Sequence, residues 1–465
     1  MPSSLFRVCS TLLTLVPALA VLPGGAGGQN TPLSSSPLLL ADLYRELDRG
    51  NPQLEAAEAL ARAAWAGVAS ARRPPDPEFQ LGFMNYSIPS LAPMAPIGMV
   101  QVQLMQTLPL AGKMRLAGEY AALRAQAGDA RSRQVRLEQR SRVAAAFFDL
   151  LAVRRQMEIA GNTLLLLQDL EEMALARYRV GEARQSDLLL ATVEIGRVAV
   201  DTLRLAAQGE SILARLDALL DRAPGSTRGL PEAPAYPAVV PTRGMLDSLA
   251  SRGRPVIDAG RQELLAAEAG EKLAHREIVP DLQFGVQYGQ RGTNMASADG
   301  EAGDPASNTM KVGREHMGSL MIGVSVPVFA RSRQMQMREE ARALTRVAQA
   351  ELKTVLADTR GRIGEAHAEL ESTRRLKTLY EENILPRAEA SAESAQAGYM
   401  AGVLSFAELL DARLAVNLHL KELAVLETDE GRIWAELEML TGSDLITGQD
   451  ASGHNASNSD RGGRS

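Results

Sequence analysis

The side chains best suited to covalent chemistry stand apart from one another in this sequence. The five histidines, His275, His316, His367, His419 and His454, are isolated, and no His-Glu-x-x-His pattern sets two of them on one helical face. Gly112-Lys113 is followed by Met114, where a phosphate-cradling loop needs Ser or Thr to reach the metal ion. No Gly-x-Ser-x-Gly elbow lifts a serine toward a substrate. No catalytic residue is assigned and no cofactor is expected, which argues against an enzyme.

Two other groups have chemistry that needs no covalent step. Glu408 and Asp411 are three apart, so a helix brings both carboxylates to one face, which taken by itself reads as a solvated surface. Met84, Met94, Met99, Met105 and Met114 crowd one stretch, and Met310, Met317, Met321, Met335 and Met337 another. Soft thioethers at that density suit transfer of Cu(I) or Ag(I). Methionine also fills lipid-facing and packed surfaces, its commoner use, so no metal site is assigned.

The elements that must position these residues follow from composition and pattern. Of 465 residues only 4% are aromatic, which is thin for a set of globular cores and suits helix-rich, extended domains. A net charge of -6, with no basic stripe, argues against nucleic acid as a partner. Arg7 precedes an apolar stretch from Leu12 to Leu22, so residues 1–28 read as a secretory signal peptide cleaved after Ala20 or within Gly24 to Gly28. Cleavage removes Cys9, the one thiol. No later run of 18 apolar residues exists, so any membrane crossing must use β-strands.

The remainder states one plan twice. Asn51-Pro52 opens a helix leading to Pro77-Glu78-Phe79-Gln80-Leu81-Gly82-Phe83, and Arg254-Pro255 opens another leading to Pro280-Asp281-Leu282-Gln283-Phe284-Gly285-Val286. Leu108-Pro109-Leu110 is echoed by Val326-Pro327-Val328, and Tyr178-Arg179-Val180-Gly181 by Tyr399-Met400-Ala401-Gly402. The first repeat, 29–223, is expected to hold strands at 78–86 and 99–108, a long helix at 112–178, a turn near 181 and a helix at 187–221. The linker 224–244 carries five prolines and cannot be helical. The second repeat, 245–445, is expected to hold strands at 281–289 and 319–327, a long helix at 332–399 kinked at Pro386, a turn near 402 and a helix at 407–441. The tail 446–465 reads as disordered.

Phe79, Leu81 and Phe83 alternate with Gln80 and Gly82, and the other strands behave alike, which fits a barrel wall with lipid outside and water inside. A half-buried sandwich strand has the same period. Four strands cannot close a barrel, which needs about eight, so chains must pool their strands; two give eight and three give twelve. The stretch from Arg291 to Gly318, including His316, reads as a long polar outer loop. The long helix of the first repeat, at about 1.5 Å per residue, spans roughly 100 Å. Its apolar stripe is narrow, as lateral packing of helices requires.

The Asn51-Pro52 start, the strand openers at Pro77 and Pro280, Pro109-Leu110-Ala111-Gly112-Lys113, and the tips Arg177-Tyr178-x-x-Gly181 and Tyr399-x-x-Gly402 together resemble TolC-family outer-membrane efflux proteins. The resemblance covers residues 37 to 445. It implies an α+β membrane channel: a homotrimer whose twelve-stranded outer-membrane β-barrel, four strands per chain, continues into a long α-helical periplasmic barrel, with an internal duplication in each chain. It also implies that Tyr178, Gly181 and Gly402 mark tips where a periplasmic adaptor docks and couples the channel to an inner-membrane RND-type transporter. On the same mapping Glu408 and Asp411 ring the tunnel entrance, while Asp187 and Ser186 face Tyr399 in contacts that hold it closed. The basic residue that usually joins this lock is matched here by Leu404. Small-molecule or metal efflux follows, with metal favoured by the methionines; protein secretion through a type I channel and a non-channel periplasmic coiled-coil scaffold are the alternatives.

Overall fold

The computed structural model describes residues 37–88, 92–94, 98–293 and 313–446. These lie in one contact unit that begins at Pro37; the expected signal peptide, Met310 and all but the first residue of the expected tail are outside the described residues. Helices α1 (Leu40–Gly50) and α2 (Pro52–Ala71) come first. Asn51 ends one and begins the other: its Oδ1 accepts from Gln53 N at 2.8 Å and Leu54 N at 3.1 Å, and Pro52 follows at the position where a missing N–H costs nothing.

Strand β1 (Glu78–Met84) is followed by a two-residue ribbon, β2 (Tyr86–Ser87) with β3 (Ala92–Pro93), and then by β4 (Met99–Leu108). Helix α3 (Lys113–Arg179) runs for 67 residues and turns back into α4 (Gln185–Leu219). The second half repeats the order with α5 (Arg243–Gly253), α6 (Pro255–Arg276), β5 (Leu282–Thr293) and β6 (Gly313–Val324). There follow α7 (Gln334–Leu379), a π-helical turn at Tyr380–Ile384, α8 (Leu385–Met400) and α9 (Phe406–Thr441). Among the described residues no helix is long and apolar enough to cross a membrane.

The four long strands form one antiparallel sheet in the order β1-β4-β5-β6, so the two halves of the chain meet where β4 pairs with β5. Both strands of the second half extend further outward than expected. β5 continues to Thr293 and β6 begins at Gly313, which puts His316 in a strand, opposite Gln290 and stacked on Tyr288, rather than in the loop. β6 also stops at Val324, short of residue 327: Ser325 N makes one more bond in register, to Asp281 O at 3.0 Å, and Pro327 has no N–H to make the next.

The irregularity expected at Pro386 falls one turn earlier. Proline cannot donate to the carbonyl four residues back, and its ring crowds that carbonyl. The helix widens over Tyr380–Ile384, where Leu385 N reaches back to Tyr380 O, and a fresh α-turn starts with proline in its first positions.

The main core gathers Phe147, Phe148 and Leu150 of α3 with Leu47 of α1, Leu216 of α4, Leu246 of α5, Ile363 of α7 and Trp434 of α9, all fully buried. Each such side chain contributes about 1.5–3 kcal/mol by leaving water. This cluster clamps the helices between the sheet and the two helix reversals.

Candidate functional site

At one end are the two helix reversals, α3 to α4 and α8 to α9. Each turns on a glycine in the left-handed region, Gly181 at φ 84° and Gly402 at φ 74°. A side chain there would be strained, and each glycine N–H donates to the carbonyl of the tyrosine three residues before it, at 3.0 Å from Tyr178 O and 3.0 Å from Tyr399 O. The helices that leave the turns are capped by reciprocal bonds. Ser405 N donates to Glu408 Oε2 at 2.7 Å while Ser405 Oγ accepts from Glu408 N at 3.3 Å. Arg184 N donates to Asp187 Oδ2 at 3.2 Å, and Ser186 Oγ donates to Asp187 Oδ1 at 3.2 Å.

The two tyrosines behave differently. Tyr178 is 44% exposed, whereas Tyr399 is 4% exposed and packs edge-on to Phe406, with ring centroids 5.6 Å apart. Around it a second core of Leu167, Leu170, Ala191, Leu409 and Leu410 joins α3, α4, α8 and α9. Arg177 lies over the Tyr399 ring, 4.7 Å from guanidinium carbon to centroid, and its Nη1 donates to the Tyr399 carbonyl. Its Nε is 3.6 Å from Glu182 Oε2.

The structure therefore supplies a basic residue from the first tip to the second, where the sequence offered only Leu404. Leu404 instead packs on Gly398. A signal was available, since Arg177 directly precedes Tyr178 in the tip motif, but its partner lies 222 residues away and no local rule connects them. Asp187 and Ser186 do not bond to Tyr399 within the chain; they cap α4, and the Tyr399 hydroxyl has no hydrogen-bond partner among the described residues. Burial pushes the phenol pKa up, the Arg177 charge opposes this, and the Asp187 charge adds to it. Glu408 is exposed, and its bonds from the Ser405 N–H and hydroxyl hold its pKa below the ordinary range. Asp411 is exposed one turn further along.

At the other end the sheet presents two unlike faces. Phe79, Leu81, Phe83, Leu104, Leu320 and Ile322 stand out on one, each at least 49% exposed. Gln80, Gln103, Gln287 and Ser319 line up in one paired row on the other. The sheet is tied to α3 by Lys113, a buried side chain whose Nζ donates to Asp281 Oδ1 at 2.8 Å and to Val279 O at 2.8 Å. Among the described residues no cluster of His, Cys, Asp and Glu is placed to hold a metal ion.

The sequence pattern of outer membrane efflux proteins matches residues 43–222 and 246–443. Among solved structures the chain is similar to CusC, at 18% identity over 87% of this chain and 92% of that one, with a TM-score of 0.73. VceC from Vibrio cholerae aligns at 18% identity over 87% and 96% of the two chains, with a TM-score of 0.71. The open state of the Neisseria gonorrhoeae MtrE outer membrane channel aligns at 16% identity over 87% and 89%, with a TM-score of 0.68. Identities this low carry the fold alone. Among curated proteins no relative matches the chain.

Proposed function

The chain belongs to the outer membrane efflux protein family, and from that membership we propose that it is a passive exit duct of a tripartite pump, leading small molecules or metal cations from the periplasm across the outer membrane. The observation that carries this reading is the sheet. Among the described residues it has two open edges, β1 and β6, and one exposed apolar face. Unpaired strand edges and bare aromatic side chains are both costly unless the edges meet other strands and the face meets lipid. Four strands are too few to close on themselves, and three copies give a twelve-stranded barrel. A coiled-coil scaffold would leave this face unexplained.

In the same reading α3, α4 and α7 to α9 of three chains form the periplasmic tunnel, and the turns at Gly181 and Gly402 are its periplasmic tips. Val180 and Val403 are 70% and 79% exposed there, bare apolar contacts of the kind an adaptor's helical hairpin would cover. Glu408 and Asp411 attract cations to the entrance, and Asp187, Ser186 and Tyr399 lock it, Asp187 acting on the buried Tyr399 phenol through its charge and not through a hydrogen bond. An adaptor and an inner-membrane RND-type transporter then open it.

Planar-bilayer recording tests this directly. The purified protein should need detergent and insert as a low-conductance channel, and Tyr399→Phe combined with Asp187→Ala should raise its conductance. A protein that is soluble without detergent and forms no channel would refute the reading.

A further inference from the structure

All five methionines of the four-stranded sheet lie on the same face. Strand pairing sets Met84 opposite Met99, Met105 opposite Gly285, Gly285 opposite Met321, and Gly289 opposite Met317. Side chains alternate faces along a strand, so these positions keep step with Gln80, Gln103, Gln287 and Ser319 and fall out of step with Phe79, Leu81 and Ile322. On the amide face methionine is the only large apolar side chain; on the aromatic face there is no methionine.

That segregation is the reverse of what packing or lipid contact would produce. A flexible apolar side chain meant for lipid belongs among Phe, Leu and Ile, and one meant for a core belongs under a covering layer. Here Met84 and Met317 are each 44% exposed beside glutamine. What methionine offers on a wet wall, and leucine or valine does not, is a soft donor sulfur.

The glycines give these sulfurs room. A Cβ at Gly285 would stand 3.2 Å from Met321 Cε and 3.5 Å from Met105 Cγ, so two thioether chains converge over that bare position. A Cβ at Gly289 would stand 2.7 Å from Met99 Sδ, and Met84 and Met317 lie directly opposite Met99 and Gly289. Two groups result, Met105 with Met321, and Met84 with Met99 and Met317, separated by four residues along β5, or about 13 Å. Glu78 faces Met105 across the strands, adding a carboxylate to the first group. Arg291 and Glu315 face each other beside the second, one charge of each sign.

We propose that the wet face of this sheet is a thioether-lined passage that takes the soft monovalent cations Cu(I) and Ag(I) by ligand exchange at two levels, with no change of oxidation state. The proposal rests on the channel reading, which turns this face toward the lumen, and it names the class of cargo that reading leaves open.

Silver(I) is the probe, because it needs no protection from air. Equilibrium dialysis of the full-length protein in detergent should show Ag(I) binding that falls about tenfold or more when Met84, Met99, Met105, Met317 and Met321 are all changed to Leu. Replacing only Met105 and Met321, or only the other three, should remove part of it, and Met335→Leu with Met337→Leu on α7 should remove none. Planar-bilayer conductance is measured on each protein. If the wild type forms no channel, the reading beneath the proposal fails; if the five-site variant conducts and binds Ag(I) as the wild type does, the proposal alone fails. Should the five-site variant not assemble, the wild type still decides: bound Ag(I) should slow peroxide oxidation of Met99, Met105 and Met321 but not of Met335, and equal oxidation of all four overturns the assignment.

Discussion

Arg177 holds its guanidinium 4.7 Å above the ring of Tyr399 while donating to that residue's carbonyl, so one side chain of the first helical reversal clasps the second. A cation over an aromatic face, partly shielded from water, is worth about 0.5–2 kcal/mol. The charge-assisted bond to the carbonyl adds about 1.5–3 kcal/mol. Arg177→Ala should therefore shift the tip toward an open arrangement by roughly tenfold or more. Single-channel conductance is expected to rise, with Arg177→Lys intermediate because it keeps the charge and loses the planar fork. Conductance equal to that of the wild type in both variants would show that the clasp has no part in closure.

Lys113 ties the base of the sheet to the long helix through Asp281 and, at 3.6 Å, Glu277. Its side chain is nearly buried, and the two acids are only partly exposed. Lys113→Met should leave both carboxylates facing each other without their cation and cost about 1–3 kcal/mol. Heating in detergent should dissociate this variant at a lower temperature than the wild type, and an additional Asp281→Asn should recover part of the loss. No change on heating would mean the junction is held elsewhere.

How far these arrangements could be read from sequence depends on the range of the interaction. The 67-residue helix α3 was legible because Leu110 to Ala223 lacks proline and is rich in strong helix formers. The strands were legible from period-2 alternation, and the turns from Gly181 and Gly402. The Arg177–Tyr399 clasp was not, since side chains 222 positions apart share no periodicity. The end of β6 short of residue 327 was within reach of the sequence, since Pro327 has no N–H to give to a ladder. The methionine face is an intermediate case. Met99 and Met105 already keep step with Gln101 and Gln103 in the sequence, but only the pairing of four strands shows that Met84, Met317 and Met321 join them.

Glu408 has two separable jobs, and conservative substitutions distinguish them. As a cap it accepts from the Ser405 N–H and hydroxyl, which a glutamine oxygen can also do. As a charge it acts with Asp411 at the proposed entrance. Glu408→Gln with Asp411→Asn should keep the fold while lowering the preference for cations, read as a reversal potential across a salt gradient that moves toward zero. Glu408→Ala should in addition loosen the start of α9, at about 0.5–2 kcal/mol. An unchanged reversal potential in the double variant would place these acids outside the conducting path.

Glu438 makes stability fall as the solution becomes more alkaline. It is buried near the end of α9, and its Oε1 accepts from Leu445 N at 2.8 Å and Ile446 N at 2.7 Å. Burial raises its pKa to about 8, the Ile446 N–H opposes this, and the neighbouring Asp444 charge adds to it; Tyr44 and the Arg140 guanidinium also face the site. The folded state thus holds a proton that the unfolded chain releases near the ordinary carboxylate value. A group whose folded pKa is raised gives its full stabilisation below the unfolded pKa and loses it as pH climbs to the folded one. Between about pH 4.5 and 8 each pH unit should cost roughly 1.4 kcal/mol from this group. Glutamine keeps an oxygen for the two N–H groups and has no proton to lose. Glu438→Gln should therefore match the wild type near pH 5, unfold at a higher temperature near pH 9, and flatten the pH profile in between. If both proteins lose stability in parallel across that range, the alkaline sensitivity belongs to another group.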